Sequence, residues 1–404
     1  MASPVTTLDA DRKRYALGNV LCIDTLNAPS HIGQWLTSAV GLRFDPAGEP
    51  AALTVRFVEK LSPTRFQRLD VNGDTFAFDA NDFFLVDRKG ARARLNFDGL
   101  DVGEELTCEM DWSFDESILR DLLAVLALAR GWLMLHGSAF EYGGLGVLVT
   151  GWQASGKSEF LLGMRGAARY ISDEPTLVHG ATGRIVSSPA LLPLWDWQIQ
   201  QLGCEGELTP EDRRRVRMAR ALRRLLPEPR GDSVPARGLA RLHRKLKTIT
   251  RVPVPPERIF RIVEAHEQIT ADVVITGSIG EPEVRRMTGE TLAKKMALSQ
   301  RYERRSLTHR YYQFRHAFPE RRSDLMEGAN ERELALLTRL LRPRTVLDIV
   351  HPYPGKLAEH GALARRAIDD AMESSCESRG VGAVLSDPHQ ISATDRAVRV
   401  RHST

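Results

Sequence analysis

The spacing of apolar side chains divides the chain into two regimes. Up to about residue 112 the runs are short and alternate with polar positions. "LTVRFVEKL" (53–61) has the period of two that marks a half-buried strand, and "DTFAFDANDFFLVDRKGARARLNF" breaks into short strands at an Asn/Asp turn and a Lys-Gly turn. Residues 1–112 are therefore expected to form a smaller β-rich N-terminal domain. Beyond Ser113 the period lengthens. Ser113 and Glu116 have the spacing of a capping box, and the apolar positions through Arg130 predict a helix.

Strand and helix patterns then alternate. "WLMLHGSAF" reads as a strand, "EYGGLG" as a hairpin turn and "VLVTG" as the returning strand, followed by a helix over 159–165. "ARYISDEPTLV" is the next strand and "HGATGRIV" its return. An Arg- and Pro-rich stretch, about 202–256, reads as an insert of helices and loops. "ADVVITGS" (271–278) and "TVLDIVHPYP" (345–354) read as strands, and "GETLAKKMALSQRYE" and "KLAEHGALARRAIDDAMES" as helices. This alternation predicts an α/β domain over 113–375. The polar composition from residue 376 predicts a flexible tail through 404.

Composition narrows the function classes. With 404 residues, 42% apolar and 27% charged, the chain has the make-up of a globular protein. No apolar run reaches 18 residues, so no membrane span is expected. The start, "MASPVTTLDADRKRYALG", lacks the apolar core of a signal peptide. Cys22, Cys108, Cys204 and Cys376 lie far apart, which argues against a zinc site or disulfide framework and makes the cytoplasm the expected compartment. The net charge of +4 is mild, yet "RRRVRMARALRRLL" (213–226) holds seven arginines. Such a helix could contact phosphate, nucleic acid or an acidic partner, or be a solvated face paired with acids elsewhere. No aromatic residues are interleaved to stack bases, so the second reading is favoured and nucleic acid is not an expected partner.

One motif carries specific chemistry. Residues 151–158, GWQASGKS, fit G-x-x-x-x-G-K-[ST] and follow an apolar strand. Gly151 and Gly156 let backbone amides approach phosphate oxygens, Lys157 supplies a cation and Ser158 a hydroxyl for Mg²⁺. The Asn-Lys-x-Asp segment of GTPases and the Leu-Ser-Gly-Gly-Gln-like signature of ABC ATPases are both absent. Asp173 and Glu174 end the next strand, where adjacent acids suit metal and proton chemistry. Because successive strand residues face opposite ways, one of the two is expected to reach the site directly.

The combination "LHGSAFEYGGLGVLVTGWQASGKSEFLLGM" followed by "YISDEPTLV" resembles the catalytic domain of bacterial HPr kinase/phosphorylase and its relatives. That family's pattern runs His-Gly, a short hairpin, "GxGVLITG", "GxxGxGKSE", a helix and an acidic "ADD". The likeness covers about 135–178. It implies a P-loop-containing kinase core of the HPr kinase/phosphoenolpyruvate carboxykinase type, with ATP and Mg²⁺ as donor and a serine hydroxyl as acceptor. By position it implies that Gly151, Ala154, Ser155, Gly156, Lys157, Ser158 and Glu159 hold the nucleotide, and that Ser158, Asp173 and Glu174 surround the metal. Asp173 would take the acceptor proton, with His136 beside it. It also implies a homo-oligomer. Here the acidic pair is Asp-Glu, and the family's second signature, "ExRGxG(I/L)xD", has only a faint echo in "PARGLARLH" at Arg237 and Gly238. A reverse phosphorolytic reaction is therefore not expected, and the unfamiliar N-terminal region argues against HPr itself as acceptor. The expected function is an ATP-dependent kinase of a hydroxyl, foremost Ser/Thr of a protein or peptide. The alternatives are a small-molecule or natural-product hydroxyl kinase, and a nucleotide-binding regulatory module without group transfer.

Overall fold

Alternation in the first part of the chain yields a nine-stranded mixed sheet in the computed structural model. The structure describes residues 11–46, 50–61, 67–71, 74–87, 89–101, 106–188, 190–227, 234–264, 267–353 and 355–383. The centre of this sheet is Leu21–Leu26, Leu53–Val58 and Leu106–Asp111, paired in parallel, and its flanks are antiparallel hairpins. One face is closed by two helices from later in the chain. Ser117–Ala129 contributes Leu119, Leu122, Leu123 and Leu126, and Arg305–Ala317 contributes Leu307, Tyr311 and Phe314. Phe314 meets Phe83 edge-on with ring centroids 5.7 Å apart, and Tyr311 meets Phe97 at 5.6 Å. The core of the sheet formed by residues 1–112 is thus completed by helices from 113–375.

The second sheet is also mixed. Leu145–Thr150, Ile269–Ile279 and Thr345–His351 run parallel at its centre. The period-two alternation sends Val147, Val149, Val273, Ile275, Leu347 and Ile349 to one face and Leu148, Val274 and Val346 to the other. On the first face lie Lys157–Gly163 and Leu357–Ala383, on the second Gly289–Glu303 and Ala329–Leu341. The chain is mixed α/β, with both faces of this sheet covered.

Four expectations need correction. "WLMLHGSAF" forms two strands, Trp132–Leu135 and Ser138–Tyr142, which pair with different neighbours and leave His136 and Gly137 in the break. "ARYISDEPTLV" likewise splits into Arg169–Asp173 and Thr176–His179. The helix expected from Ser113 begins at Ser117, whose amide bonds the Asp115 carboxylate at 3.0 Å, so an Asx turn replaces the capping box. The last helix continues through Ala383, so residues 376–383 of the expected tail are helical, while 384–404 lie outside the described residues. No helix among the described residues is long and apolar enough to cross a membrane.

Candidate functional site

The strand Leu145–Thr150 delivers the chain into the 151–158 loop, and the helix Lys157–Gly163 carries it away. Gly151 (φ +146°), Ala154 (φ +63°) and Gly156 (φ +84°) bend the loop through conformations that L side chains rarely adopt. At Ala154, which is not glycine, this costs on the order of 1 kcal/mol, and such strain is concentrated at functional sites. Neighbours leave no room for larger residues. A Cβ on Gly156 would lie 2.6 Å from His351 Nε2, and one on Gly277 would overlap the Ser155 carbonyl oxygen. His351 Nε2 is itself 3.1 Å from that carbonyl, a bond it makes only as an N–H donor.

Lys157 is buried inside its own loop. Its Nζ donates to the Trp152 carbonyl at 2.8 Å and lies 3.4 Å from that of Gly151. Burial pushes its pKa down, while Glu174 and Asp173 pull it back up. The Ser155 hydroxyl is buried with no hydrogen-bond partner, an unmet polar group in the floor of the loop.

Asp173 closes its strand opposite Ser138, whose hydroxyl donates to the Lys157 carbonyl at 3.0 Å. The Asp173 carboxylate accepts from the Ser158 hydroxyl, with distances of 3.1 and 3.3 Å to its two oxygens. Burial, then the neighbouring Glu174, push its pKa up to about 8, against the pull of Ser158 and Lys157. Glu174 departs from strand geometry at φ +26°, and its amide donates to the Gly137 carbonyl. That turn breaks the alternation, and both carboxylates line one cavity of about 330 Å³ with the loop. The expectation that one acid alone would reach the site is therefore overturned.

His136 sits in the break between its two strands, with Nδ1 3.0 Å from Glu174 Oε1. Burial and the charge of Lys157 lower its pKa to about 4, and burial raises that of Glu174. Both shifts favour a neutral imidazole sharing one proton with the carboxyl group. His136, Gln153 and Glu174 also line a second cavity of about 290 Å³, so they form the wall between the two. Asp173 lines only the first of these two cavities.

Of the residues expected at the site, all but Gly151 line this cavity, including Glu159, which is 3.3 Å from Gln198 Nε2. Arg251 lines the same cavity, with its guanidinium 5.2 Å from the Trp195 ring. It lies just after the insert helix Val234–Ile249 and carries no motif that sequence reading could detect. Arg237 and Gly238 are exposed on that helix and do not line the cavity. In the Arg-rich run, Arg220 pairs with Asp196 and Glu205, Arg215 with Asp212 on its own helix, and Arg213 donates to the Gly206 and Leu208 carbonyls, so acids partner part of this face. Cys22, Cys108 and Cys204 are buried.

The oxygen donors fit a hard cation held jointly with phosphate. Ser158 and Asp173 supply adjacent oxygens, and among the described residues no group of three or more His, Cys, Asp or Glu is placed to hold a metal alone. The cramped glycines, the unmet Ser155 hydroxyl and the inward Lys157 fit an anionic chain lying over the loop. No family model matches the chain, and no curated protein is significantly similar to it.

Proposed function

We propose that the protein is an ATP- and Mg²⁺-dependent phosphotransferase with a P-loop kinase core, acting on a hydroxyl acceptor. The observation that carries this reading is the Ser158–Asp173 hydrogen bond at the mouth of the glycine loop, with the Glu174–His136 pair in the same cavity. A nucleotide-binding loop needs the first element. A group-transfer site also needs the second, because a hydroxyl must lose its proton as it bonds to phosphorus.

Lys157 exchanges its loop carbonyls for phosphate oxygens, and the loop amides and Ser155 hydroxyl add donors. Ser158 and Asp173 would hold Mg²⁺, which would supply positive charge to offset that of the phosphates. The proton-accepting role passes from Asp173 to Glu174, because Asp173 is turned to Ser158 while Glu174 faces the second cavity. As the acceptor oxygen bonds to the γ-phosphorus and the bond to the β-phosphate oxygen breaks, Glu174 takes the hydroxyl proton. His136 Nδ1–H holds the carboxylate in position at 3.0 Å. Arg251, which lines the same cavity, is a cation available to the transferring group.

The test is phosphorus NMR of ATP, Mg²⁺ and a panel of hydroxyl compounds and seryl peptides, with wild-type protein and with Lys157→Ala and Glu174→Gln. The expected result is a new phosphomonoester that both substitutions suppress. Bound ATP with no protein-dependent loss of its γ-phosphate, to water or to any acceptor, would leave only a nucleotide-sensing module.

A further inference from the structure

The cavity on the far side of the His136–Gln153–Glu174 wall lies between the Ser117–Ala129 helix, the Trp132–Leu135 strand and the end of the Gly289–Glu303 helix. At about 290 Å³ it falls at the small end of ligand pockets. Its charged groups divide into committed and uncommitted ones. Arg304 is bonded to Glu333 at 3.0 Å and to Asn330 at 2.9 Å, and Arg305 lies over the Tyr302 ring at 3.7 Å. Arg120, Asp121 and Glu303 have neither an ion-pair nor a hydrogen-bond partner among the described residues; Arg120 and Glu303 are exposed, and the charges of Arg120 and Arg304 work against the rise that burial imposes on the Asp121 pKa.

Beside them is Gln300, 7% exposed. Its Nε2 is used by the Met134 carbonyl at 3.0 Å, and its Oε1 is buried with no partner. A buried amide oxygen without a donor costs about 1–3 kcal/mol unless something supplies one. The buried Gln300 oxygen, Asp121 and the exposed Glu303 together offer three acceptors to a cation rich in N–H, with the exposed Arg120 lining the same cavity. The apolar Ala124, Leu128 and Leu133 leave room beside it for a short carbon chain.

We propose that this second cavity is the acceptor site and that it takes a small hydroxyl compound bearing a protonated amine. The amine is held by Asp121, Glu303 and the Gln300 carbonyl, and the hydroxyl turns to the Glu174–His136 wall. The proposal rests on the phosphotransferase reading and names its substrate class. The acceptor oxygen bonds to the γ-phosphorus across that wall, ADP leaves, and the hydroxyl proton goes to Glu174. Burial raises the Asp121 pKa to about 6, and a bound ammonium would offset this. The same chemistry occurs in a free amino alcohol and at the amino end of a seryl peptide.

Four probes separate these cases in the full chain: ethanolamine, L-serine, the peptide Ser-Gly-Gly, and glycerol as an uncharged control. Calorimetric binding is measured with and without a non-hydrolysable ATP analogue, product formation is followed by phosphorus NMR, and nucleotide binding is read separately with a fluorescent ATP analogue. The amines should bind and react about tenfold better than glycerol or more. Asp121→Asn and the exposed Glu303→Gln should each remove most of that preference without altering nucleotide affinity. Preference for Ser-Gly-Gly over serine would identify a peptide terminus as the source, and the reverse a free metabolite. Normal nucleotide binding with no preference for amines over glycerol overturns the acceptor assignment and leaves the phosphotransferase reading intact. Amine binding by a chain that binds no nucleotide removes that reading, and the acceptor role with it.

Discussion

Replacing Asp173 by Asn should make the nucleotide-free protein more stable, by an amount that grows with pH. The carboxyl group is buried, and burial pushes its pKa up to about 8 from the ordinary 3.8 of an aspartate. Between those values the folded chain keeps a proton that the unfolded chain has released. Wild-type stability from this group is therefore fully present below about pH 4 and is lost as pH rises through about 8. At about 1.4 kcal/mol for each tenfold change in proton affinity, the loss approaches roughly 6 kcal/mol as an upper bound. Asparagine cannot ionise, and its side-chain oxygen can still accept from the Ser158 hydroxyl. The assay is urea unfolding of both proteins from about pH 5 to about pH 9 without nucleotide. The variant should gain steadily on the wild type, by several kcal/mol at the alkaline end, where single substitutions ordinarily destabilise by about 1 kcal/mol. ATP with Mg²⁺ should close most of the gap, because the cation gives the ionised carboxylate a partner. A gap that does not change with pH, or a variant less stable at about pH 9, would refute the claim that burial holds this carboxyl protonated.

Further outcomes follow from the same geometry. Lys157→Ala should weaken ATP binding by about tenfold to a hundredfold, the worth of a charge-assisted contact, as read by a fluorescent ATP analogue. Glu174→Gln should lower phosphoryl transfer by about 10²- to 10⁴-fold while nucleotide affinity changes little, and a large loss of affinity instead would move this residue from proton transfer to binding. Because burial raises the Glu174 pKa, transfer by the wild type should climb with pH as that group loses its proton, a limb that Glu174→Gln abolishes. Gly156→Ala should cost about 1–3 kcal/mol or more in chemical denaturation, from positive φ and the clash with His351 together. Phe314→Ala should cost about 3–5 kcal/mol, and both sheets should still melt in one transition, because this ring belongs to the core that joins the first sheet to the later helices.

What the sequence made legible follows the range of the forces involved. "GETLAKKMALSQRYE" is a helix with the bounds its apolar spacing predicts, since Leu292, Ala293 and Met296 all bury on one face. The 151–158 loop was legible because its glycines and lysine act within eight consecutive residues. The breaks at His136 and Glu174 were not. Each interrupts an apolar run where the two halves pair with different strands, a decision made by tertiary contacts and not by local propensity. The helix Arg305–Ala317 carries a readable stripe in Leu307, Tyr311 and Phe314, at intervals of four and three and continued by Phe318 just past its end, hidden among basic and polar residues. The second cavity had no sequence signature. Its acceptors come from Asp121 on one helix and from Gln300 and Glu303 on another, brought together only when both helices pack beside the Trp132–Leu135 strand.

The central claim is that one cavity holds a triphosphate at Lys157 and presents its terminal phosphorus to Glu174. A crystal structure with Mg²⁺ and a non-hydrolysable ATP analogue tests it most directly. The account predicts the metal on Ser158 and Asp173, the γ-phosphate within reach of Lys157, and the His136–Glu174 pair facing it from the side of the second cavity. A nucleotide bound elsewhere, or a γ-phosphate turned away from that pair toward solvent, would contradict it.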